Sequence, residues 1–260
     1  MVPPFAPSFE ARRGCARLSS TGRSPAPQRG LAIRVGIAAV SATIALLVPP
    51  VLLVDGVRVL ANDWYVRHEY GKRGFPRDPY GLTREQRTGL ALIGLHSIQP
   101  ENRQGIDLLR AARLPDGSPA FNARELRHMT DVRGLIGALY LLHLAGLAAI
   151  AGLAAVLAFS RRARGLVPRA LMRGALLTLV LAALTLLLTL TDFAVFSGGF
   201  HGLFFGGDSW RFADTDTLRR LYPDPFWSDT AMLLGLATVG QAAVLLAVAW
   251  LWTRKAKPSS

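Results

Sequence analysis

Cysteine is almost absent from this 260-residue chain, and the standard motifs of several enzyme classes are missing. Cys15 is the single cysteine, which excludes a disulfide within the chain and a cysteine-based zinc site. The chain also lacks the usual signatures of serine hydrolases, zincins and P-loop NTPases, which are G-x-S-x-G, H-E-x-x-H and G-x-x-x-x-G-K-[S/T] respectively. No internal repeat is found either. Function therefore has to be inferred from less regular features.

Charge is absent from four apolar windows, at 35–54, 135–159, 174–191 and 231–252. Each window is about long enough to cross ~30 Å of hydrocarbon at ~1.5 Å per residue. The first is too long and too far from the start for a usual signal peptide, so we interpret it as a retained anchor. The windows predict an all-α membrane protein with four transmembrane helices. Their lack of Asp, Glu, Lys and Arg argues against an ion pump or proton-coupled transporter.

The net charge of +13 is confined to three segments: 1–34, 160–173 and 253–260. Together they hold 14 basic residues and one acidic residue, whereas 55–134 and 192–230 combined hold 16 basic and 16 acidic residues and so add no net charge. This is the positive-inside pattern, so we expect both termini and the segment 160–173 in the cytoplasm. Basic segments beside a membrane attract anionic lipid, and we prefer this interpretation to nucleic-acid binding.

The segment 55–134 is amphipathic and predicts a helical extracytoplasmic cap on the membrane surface. Leucine and isoleucine follow helical spacing at 83–95 and 105–114. Asn122 precedes Ala-Arg-Glu, a variant capping box that predicts a helix running unbroken through the second span. The basic tail 1–34 is rich in Pro, Arg, Ser and Ala, which favours disorder.

The segment 192–230, between the third and fourth windows, is predicted to be an aromatic loop on the same side of the membrane as the cap. The 36 residues from 193 to 228 contain ten of the 22 aromatic side chains, interleaved with histidine, aspartate and arginine. Rings that tolerate a membrane interface, mixed with polar groups, indicate a site at the bilayer edge. Trp210, Tyr222 and Trp227 suit either interfacial anchoring or a pocket wall.

Two histidines are predicted to lie at this boundary. His128 stands seven residues before Leu135, about 10 Å along a helix axis, with Asp131 on the same face. His201 follows the third window closely. The pair suits acid–base chemistry, hydrogen-bonded scaffolding or, with carboxylates, a metal site, although no recognised ligand spacing supports a metal. The candidate metal ligands are His128, Asp131, His201, Asp208 and Asp214.

Several segments carry a resemblance to a bacterial family of four-span membrane proteins, the lipoprotein intramolecular transacylase family. They are Asp78-Pro-Tyr-Gly-Leu-Thr83 with Arg87, Glu125-Leu-Arg-His-Met-Thr-Asp-Val-Arg133, Phe200-His-Gly-Leu-Phe-Phe205, Trp210-Arg-Phe-Ala-Asp-Thr-Asp-Thr-Leu218, Leu221-Tyr-Pro223 and Phe226-Trp227. The similarity extends from the first span onward and excludes the N-terminal tail.

The resemblance implies an acyltransferase whose reaction lies between cap and membrane. The family's enzyme moves an acyl chain from the sn-2 oxygen of a lipoprotein's diacylglyceryl group to the α-amino group of its N-terminal cysteine. The family's catalytic histidines correspond to His128 and His201, and the partners implied are a diacylated lipoprotein N-terminus and membrane lipid. We expect no cofactor, metal or nucleic acid.

Supporting roles follow from the chemistry of the neighbouring residues. Asp131 is suited to orient an imidazole, and Arg211 to stabilise an oxyanion or to pair with Asp208 or Asp214. Asp214 and Asp216 are candidate caps for a helix near Thr217. The substrate-binding or supporting candidates are Asp131, Arg211, Trp210, Tyr222, Phe200, Phe204 and Phe205. The alternative is a non-enzymatic binding or envelope-sensing membrane protein of the same fold.

Overall fold

The computed structural model describes residue 1 and residues 26–160, 163–191, 193–205 and 210–255. The helices are α1 (Ala26–Leu60), α2 (Asp63–Gly71), α3 (Arg84–Ile98), α4 (Asp107–Ala111), α5 (Ala123–Phe159), α6 (Leu166–Thr191), α7 (Phe193–Phe204), α8 (Thr217–Leu221) and α9 (Asp224–Lys255). The chain forms two compact units, Met1–Gly36 and Ile37–Ser260. The candidate site lies within the second unit.

Four helices, α1, α5, α6 and α9, are long and apolar enough to cross a membrane, and each contains one predicted window. Their large apolar side chains remain exposed to the surroundings, as lipid-facing residues do; examples are Leu141, Leu142, Leu187, Val244 and Leu251. The predicted fold class, an all-α membrane protein with four transmembrane helices, is confirmed.

Helix α5 is longer than a bilayer requires. Its 37 residues extend about 55 Å, whereas the hydrocarbon core is about 30 Å thick. Charged residues occupy its first three turns, and the charge-free part begins at Leu135. The segment 123–134 therefore projects beyond the span and carries His128 with it.

Other helix ends also extend beyond the predicted windows. Helix α1 begins at Ala26, so the last nine residues of the tail predicted to be disordered are helical. Arg29 and Arg34 do not interrupt the helix, because arginine is a good helix former. Residues 2–25 and 256–260 lie outside the described part of the chain.

Helix α1 contacts each of the other three long helices. A side chain on Gly146 of α5 would meet Val51 at 2.9 Å, and one on Gly174 of α6 would meet Val48 at 2.6 Å. Small residues at these points permit close helix packing in a membrane. On α9, the Gln241 side-chain amide donates to the Leu52 carbonyl at 3.4 Å.

The buried histidine of the second span, His143, faces α1. Its Nε2 lies 3.0 Å from Oδ1 of Asp55, within ion-pair distance but outside hydrogen-bond geometry. For this one ionisable residue within the charge-free windows, the sequence predicts a neutral imidazole hydrogen-bonded to a neighbouring helix. The structure places it against α1, but neither ring nitrogen has a hydrogen-bond partner among the described residues.

The cap has two apolar clusters that join it to the long helices. One contains Leu90, Leu109, Met129 and Leu221, and unites α3, α4, α5 and α8. The other contains Tyr65, Tyr70, Ala91, Leu95 and Phe226, and unites α2, α3 and α9. The short helix α8 is therefore part of the cap core, although it belongs to the segment between the third and fourth spans.

Two helices were predicted in the cap; the structure contains the first nearly as predicted and a much shorter version of the second. Helix α3 starts after Thr83, which forms a capping box with Gln86. The second predicted helix, 105–114, is reduced to the five residues of α4. The chain leaves the helix because Arg113 pairs with Pro119 in an isolated β-bridge, which reverses its direction.

Candidate active site

The first histidine of the site is positioned by the start of α5. Asn122 accepts hydrogen bonds from the Arg124 and Glu125 amides, and the Glu125 side chain accepts from the Asn122 amide at 2.7 Å. This is the predicted capping box in full. It fixes the first turn of the helix, and His128 lies on the following turn.

The two histidines come together although 73 positions separate them. The ring centroids of His128 and His201 are 6.4 Å apart, with the planes inclined by 27°. His201 lies on α7, which follows the third span directly. The sequence predicts both residues at one boundary, and the structure brings their imidazoles to the two sides of one small space.

Aromatic rings enclose the pair. Phe205 contacts both imidazoles, with centroids 4.9 Å from His128 and 5.8 Å from His201. Trp210 stacks on His201 at 4.8 Å, and Phe212 meets His128 edge-on at 5.3 Å. These rings replace water around the histidines, which strengthens electrostatic interactions there.

The environment of His128 favours a neutral imidazole. The residue is 8% exposed, and its Nδ1 has no hydrogen-bond partner among the described residues. Burial, followed by the proximity of His201, lowers the pKa of His128 from 6.5 to about 4, against a smaller opposing effect of Asp131. At neutral pH the imidazole of His128 is therefore unprotonated.

Three polar contacts, of which the first is buried, hold the segment 210–221 next to the histidines. The amide of Leu218 donates to Oε1 of Glu125 at 2.7 Å. Asp216 accepts from Asn122 at 2.9 Å and from Arg124 at 3.1 Å. The same helix start that positions His128 thus also fixes the residues that follow His201.

A second set of contacts ties this segment to the cap. Arg220 makes a bidentate ion pair with Asp78 at 3.0 and 2.8 Å, in which both side chains are buried. Arg87 donates to the Arg220 carbonyl, and the Tyr70 hydroxyl donates to the Leu221 carbonyl at 2.6 Å. The residues singled out in the cap, Asp78 and Arg87, therefore act by holding the segment in place.

A cavity of about 480 Å³ opens beside the histidines. Its lining is mainly apolar, with polar groups near one another at His128, His201, Arg211 and Asp214. A cavity of this size, with a mainly apolar lining and a few polar groups, is typical of a small-molecule binding site. Its apolar lining residues include Val57, Leu60, Leu95, Ile98, Met129, Val132 and Leu234.

Several predicted supporting residues lie at this cavity. Trp210, Arg211 and Tyr222 line it, and Phe205 packs on both histidines. Tyr222 is anchored because its hydroxyl donates to the Ala91 carbonyl at 2.8 Å. The Arg211 guanidinium lies 5.2 Å from the centroid of the Trp210 ring, a cation–π distance.

Other predictions match the geometry less well. Asp131 is exposed and makes no hydrogen bond to Nδ1 of His128, so it does not orient the ring through that atom. Phe204 is 45% exposed and does not line the cavity. The side chains of Phe200 and Asp208 lie outside the described residues.

The predicted caps of α8 are replaced by a different one. Asp216 occupies the N-cap position, but its side chain makes no cap hydrogen bond there, and Asp214 pairs with Arg219 at 3.7 Å. Glu125 supplies the acceptor for the second helical amide instead. Glu125 can do this because only its Oε2 is bonded to the Asn122 amide, which leaves Oε1 to accept from Leu218.

The sequence offered no reason to single out Phe212, or to expect that Glu125 would accept a hydrogen bond from the Leu218 amide. Phe212 was visible as one member of the aromatic segment, but nothing in its spacing distinguished it from its neighbours. As for a metal, the described residues contain no group of three or more His, Cys, Asp or Glu side chains arranged to hold one.

Comparison with known proteins gives a consistent assignment. Residues 43–227 match the model of the family "Lipoprotein intramolecular transacylase Lit". An uncharacterized protein of Aquifex aeolicus is 27% identical over 201 residues, which is 76% of this chain and 87% of that protein.

Solved structures agree with this match at the level of the fold. The lipoprotein intramolecular transacylase of Bacillus cereus superposes with a TM-score of 0.67 at 14% identity, covering 84% of this chain and 96% of that chain. A histidine-to-alanine variant of it gives 0.63 at 14% identity, covering 91% and 100%. Because the family model matches well over half of the residues, the chain belongs to the lipoprotein intramolecular transacylase family and is a multi-pass membrane enzyme of that family.

Proposed function

We propose that the protein moves an acyl chain from the sn-2 glyceryl oxygen of a diacylated bacterial lipoprotein to the α-amino group of its N-terminal cysteine. The product is a lyso-form lipoprotein. One observation supports this most strongly: His128 and His201 lie 6.4 Å apart between aromatic rings at the edge of a mainly apolar cavity. Such an arrangement suits proton transfer on a lipid ester.

The reaction exchanges one ester for one amide and needs no other reactant. The amine nitrogen attacks the ester carbonyl, and a C–N bond forms as the nitrogen loses a proton. The C–O bond to glycerol then breaks, and the departing oxygen gains a proton. An α-amino group has an ordinary pKa near 7.7–8.0, so a useful fraction is uncharged near neutral pH.

The two histidines take different parts in this scheme. His128 accepts the amine proton, since burial keeps its imidazole neutral. His201 is less buried and supplies the proton to the glyceryl oxygen. After each cycle the proton passes from the first ring to the second, and the enzyme returns to its starting state.

Neighbouring residues support the reaction without joining it covalently. Arg211 lines the cavity and carries positive charge suited to a developing oxyanion. Phe205, Trp210 and Tyr222 exclude water, which would otherwise hydrolyse the ester. Amine and ester belong to one molecule, so holding them together gives a large effective concentration and lowers the barrier by as much as ~7–11 kcal/mol.

We further propose that the site faces the outside of the bacterial cytoplasmic membrane. The short segments that carry the whole excess charge, 1–34, 160–173 and 253–260, favour a cytoplasmic location for both termini. The cap and the segment 192–230 then lie on the extracytoplasmic side, where mature lipoproteins present their N-termini.

The test is transfer on a defined substrate. Purified protein in detergent is incubated with a synthetic diacylated lipopeptide, and mass spectrometry locates the acyl chain on oxygen or nitrogen. We expect N-acylated, lyso product, with turnover that survives exhaustive chelation. Loss on chelation that zinc restores would support the metal alternative. No turnover on any diacylated lipopeptide would favour a non-enzymatic binding protein.

A further inference from the structure

The cavity contains a pair of hydroxyl groups that the reaction described above does not use. Tyr65 of α2 and Thr230 of α9 both line it, and their hydroxyl oxygens are 2.6 Å apart. The Thr230 hydroxyl donates its one proton to the Phe226 carbonyl at 2.6 Å. The Tyr65 hydroxyl must therefore be the donor to Thr230, and the phenolic oxygen keeps lone pairs that accept hydrogen bonds.

The phenol keeps its proton. Burial raises the pKa of Tyr65, and the nearby carboxylates of Glu69 and Asp229 raise it further. With its single proton committed to Thr230, Tyr65 offers a ligand an acceptor and no donor. A ligand that meets this oxygen has to bring an N–H or O–H group.

Negative charge lies behind the hydroxyl pair. Glu69 is fully buried one turn after Tyr65, and Lys72 lies 2.6 Å from its Oε1 and 2.8 Å from Oδ2 of Asp229. Two carboxylates thus share one ammonium group. Oε2 of Glu69 is buried without a hydrogen-bond partner among the described residues. None of these three side chains lines the cavity, but their net negative charge near Tyr65 favours a cation beside its hydroxyl.

Aromatic faces beside the pair add to this preference. The Tyr65 and Phe226 rings are 5.7 Å apart, and Tyr222 meets Phe226 at 5.1 Å. The Tyr222 proton is committed to the Ala91 carbonyl, so this second phenol likewise offers only acceptor lone pairs. Electron-rich ring faces attract an ammonium group.

We propose that Tyr65 and Thr230 form the binding site for the substrate's α-amino group, in which the phenolic oxygen of Tyr65 accepts an N–H hydrogen bond. This inference rests on the proposed function, because that function defines the amine. One N–H held by Tyr65 restricts rotation of the nitrogen and aims its lone pair at the ester. Glu69 and Asp229 attract the ammonium form on entry but do not contact the reacting atoms.

Binding measurements separate this role from catalysis. The probes are two lipopeptides with an ether in place of the sn-2 ester, so that neither reacts: one has a free α-amine and the other is N-acetylated. Full-length protein in detergent should bind the free amine about tenfold more tightly, as expected for a hydrogen bond to a charged donor. Tyr65→Phe retains the ring and should reduce this preference to less than threefold.

Matched variants distinguish an amine site from a structural role. Tyr80→Phe removes a hydroxyl from an exposed cap residue that does not line the cavity and should leave the preference intact. Thr230→Ser should retain the preference, and Thr230→Val should weaken it. An unchanged preference in Tyr65→Phe, or an equal loss of both probes, would overturn the proposal.

The outcome is independent of the transfer assay. Unmodified protein that prefers the free amine but never transfers an acyl chain would refute the proposed function and leave the amine site standing. Protein that transfers the acyl chain while binding both probes equally would refute the amine site and leave the proposed function standing.

Discussion

Glu125 and Leu218 join the two parts of the site through one hydrogen bond. Oε1 of Glu125 accepts from the Leu218 amide at 2.7 Å, while its Oε2 accepts from the Asn122 amide at 2.7 Å. The side chain is buried, with 1% exposure. One carboxylate thus starts the helix that carries His128 and anchors the segment that closes over it.

Replacing this carboxylate should destabilise the protein. In Glu125→Gln, one of the two oxygens becomes an NH2 group that faces an N–H donor, so one buried amide loses its acceptor. We expect a loss of about 1–3 kcal/mol in unfolding free energy. Thermal unfolding in detergent measures this, with Glu101→Gln as the control because Glu101 is an exposed cap residue. Equal midpoints for the two variants would contradict the proposed anchoring role.

The histidines should behave as one catalytic unit. If His128 accepts a proton and His201 donates one in the same transfer, His128→Ala and His201→Ala should each reduce turnover by about 10²–10⁴-fold. The double variant should then be little worse than either single variant, since groups acting in one step are not additive.

The control for this cycle is His143→Ala. His143 lies deep in α5 against Asp55, so its loss should reduce packing and yield but not the rate of the chemical step. Turnover is followed by mass spectrometry on the diacylated lipopeptide. Full turnover by a well-folded double variant would refute the mechanism.

Local signals explain what the sequence predicted well. The Asn122 capping box acts over three residues, and the unbroken apolar pattern after it predicts α5 through to Phe159. That both histidines lie near the ends of their spans follows from their short distance in sequence to the charge-free windows. The bilayer imposes these lengths, so no knowledge of tertiary packing was needed.

Tertiary contacts explain what the sequence could not predict. Glu125 and Leu218 are 93 positions apart, and Arg87 is 133 positions from the carbonyl it binds. The segment 192–230 was predicted to be an aromatic loop, but its residues 193–204 form helix α7. Gly198, Gly199 and Gly202 are poor helix formers, yet in an apolar setting the backbone groups have no better partner than the helix itself. Hydroxyl pairing between Tyr65 and Thr230 likewise depends on the packing of α2 against α9.

The pH response of His128 follows from its burial. Its pKa in the folded protein, about 4, lies below the ordinary 6.5, so the unfolded chain binds the proton more readily between these values. The folded state should therefore lose stability as pH falls from about 6.5 towards 4. In NMR with labelled histidine, His128 should stay neutral at pH 6 and titrate near pH 4.

A variant tests the causes of this pKa. The pKa of His128 is lowered by burial and, to a smaller extent, by the proximity of His201. His201→Gln removes the second effect, so the pKa of His128 should rise while burial still keeps it below 6.5. Titration of His128 near 6.5 in the unmodified protein would contradict the assignment of this residue as the neutral proton acceptor.

Topology provides the last prediction, because the mechanism requires the site to face the compartment that holds lipoprotein N-termini. All of the excess positive charge lies in short segments on one side of the four spans, and moving such segments across a membrane is unfavourable. With Cys15 replaced by serine, single cysteines at Arg103 in the cap and at Gly165 between α5 and α6 report the two sides. Both positions are exposed, and Gly165 has open space around a new side chain. A membrane-impermeant maleimide should label Arg103→Cys in intact cells and Gly165→Cys only after permeabilisation. The reverse pattern would place both histidines in the cytoplasm and refute the proposed function at this site.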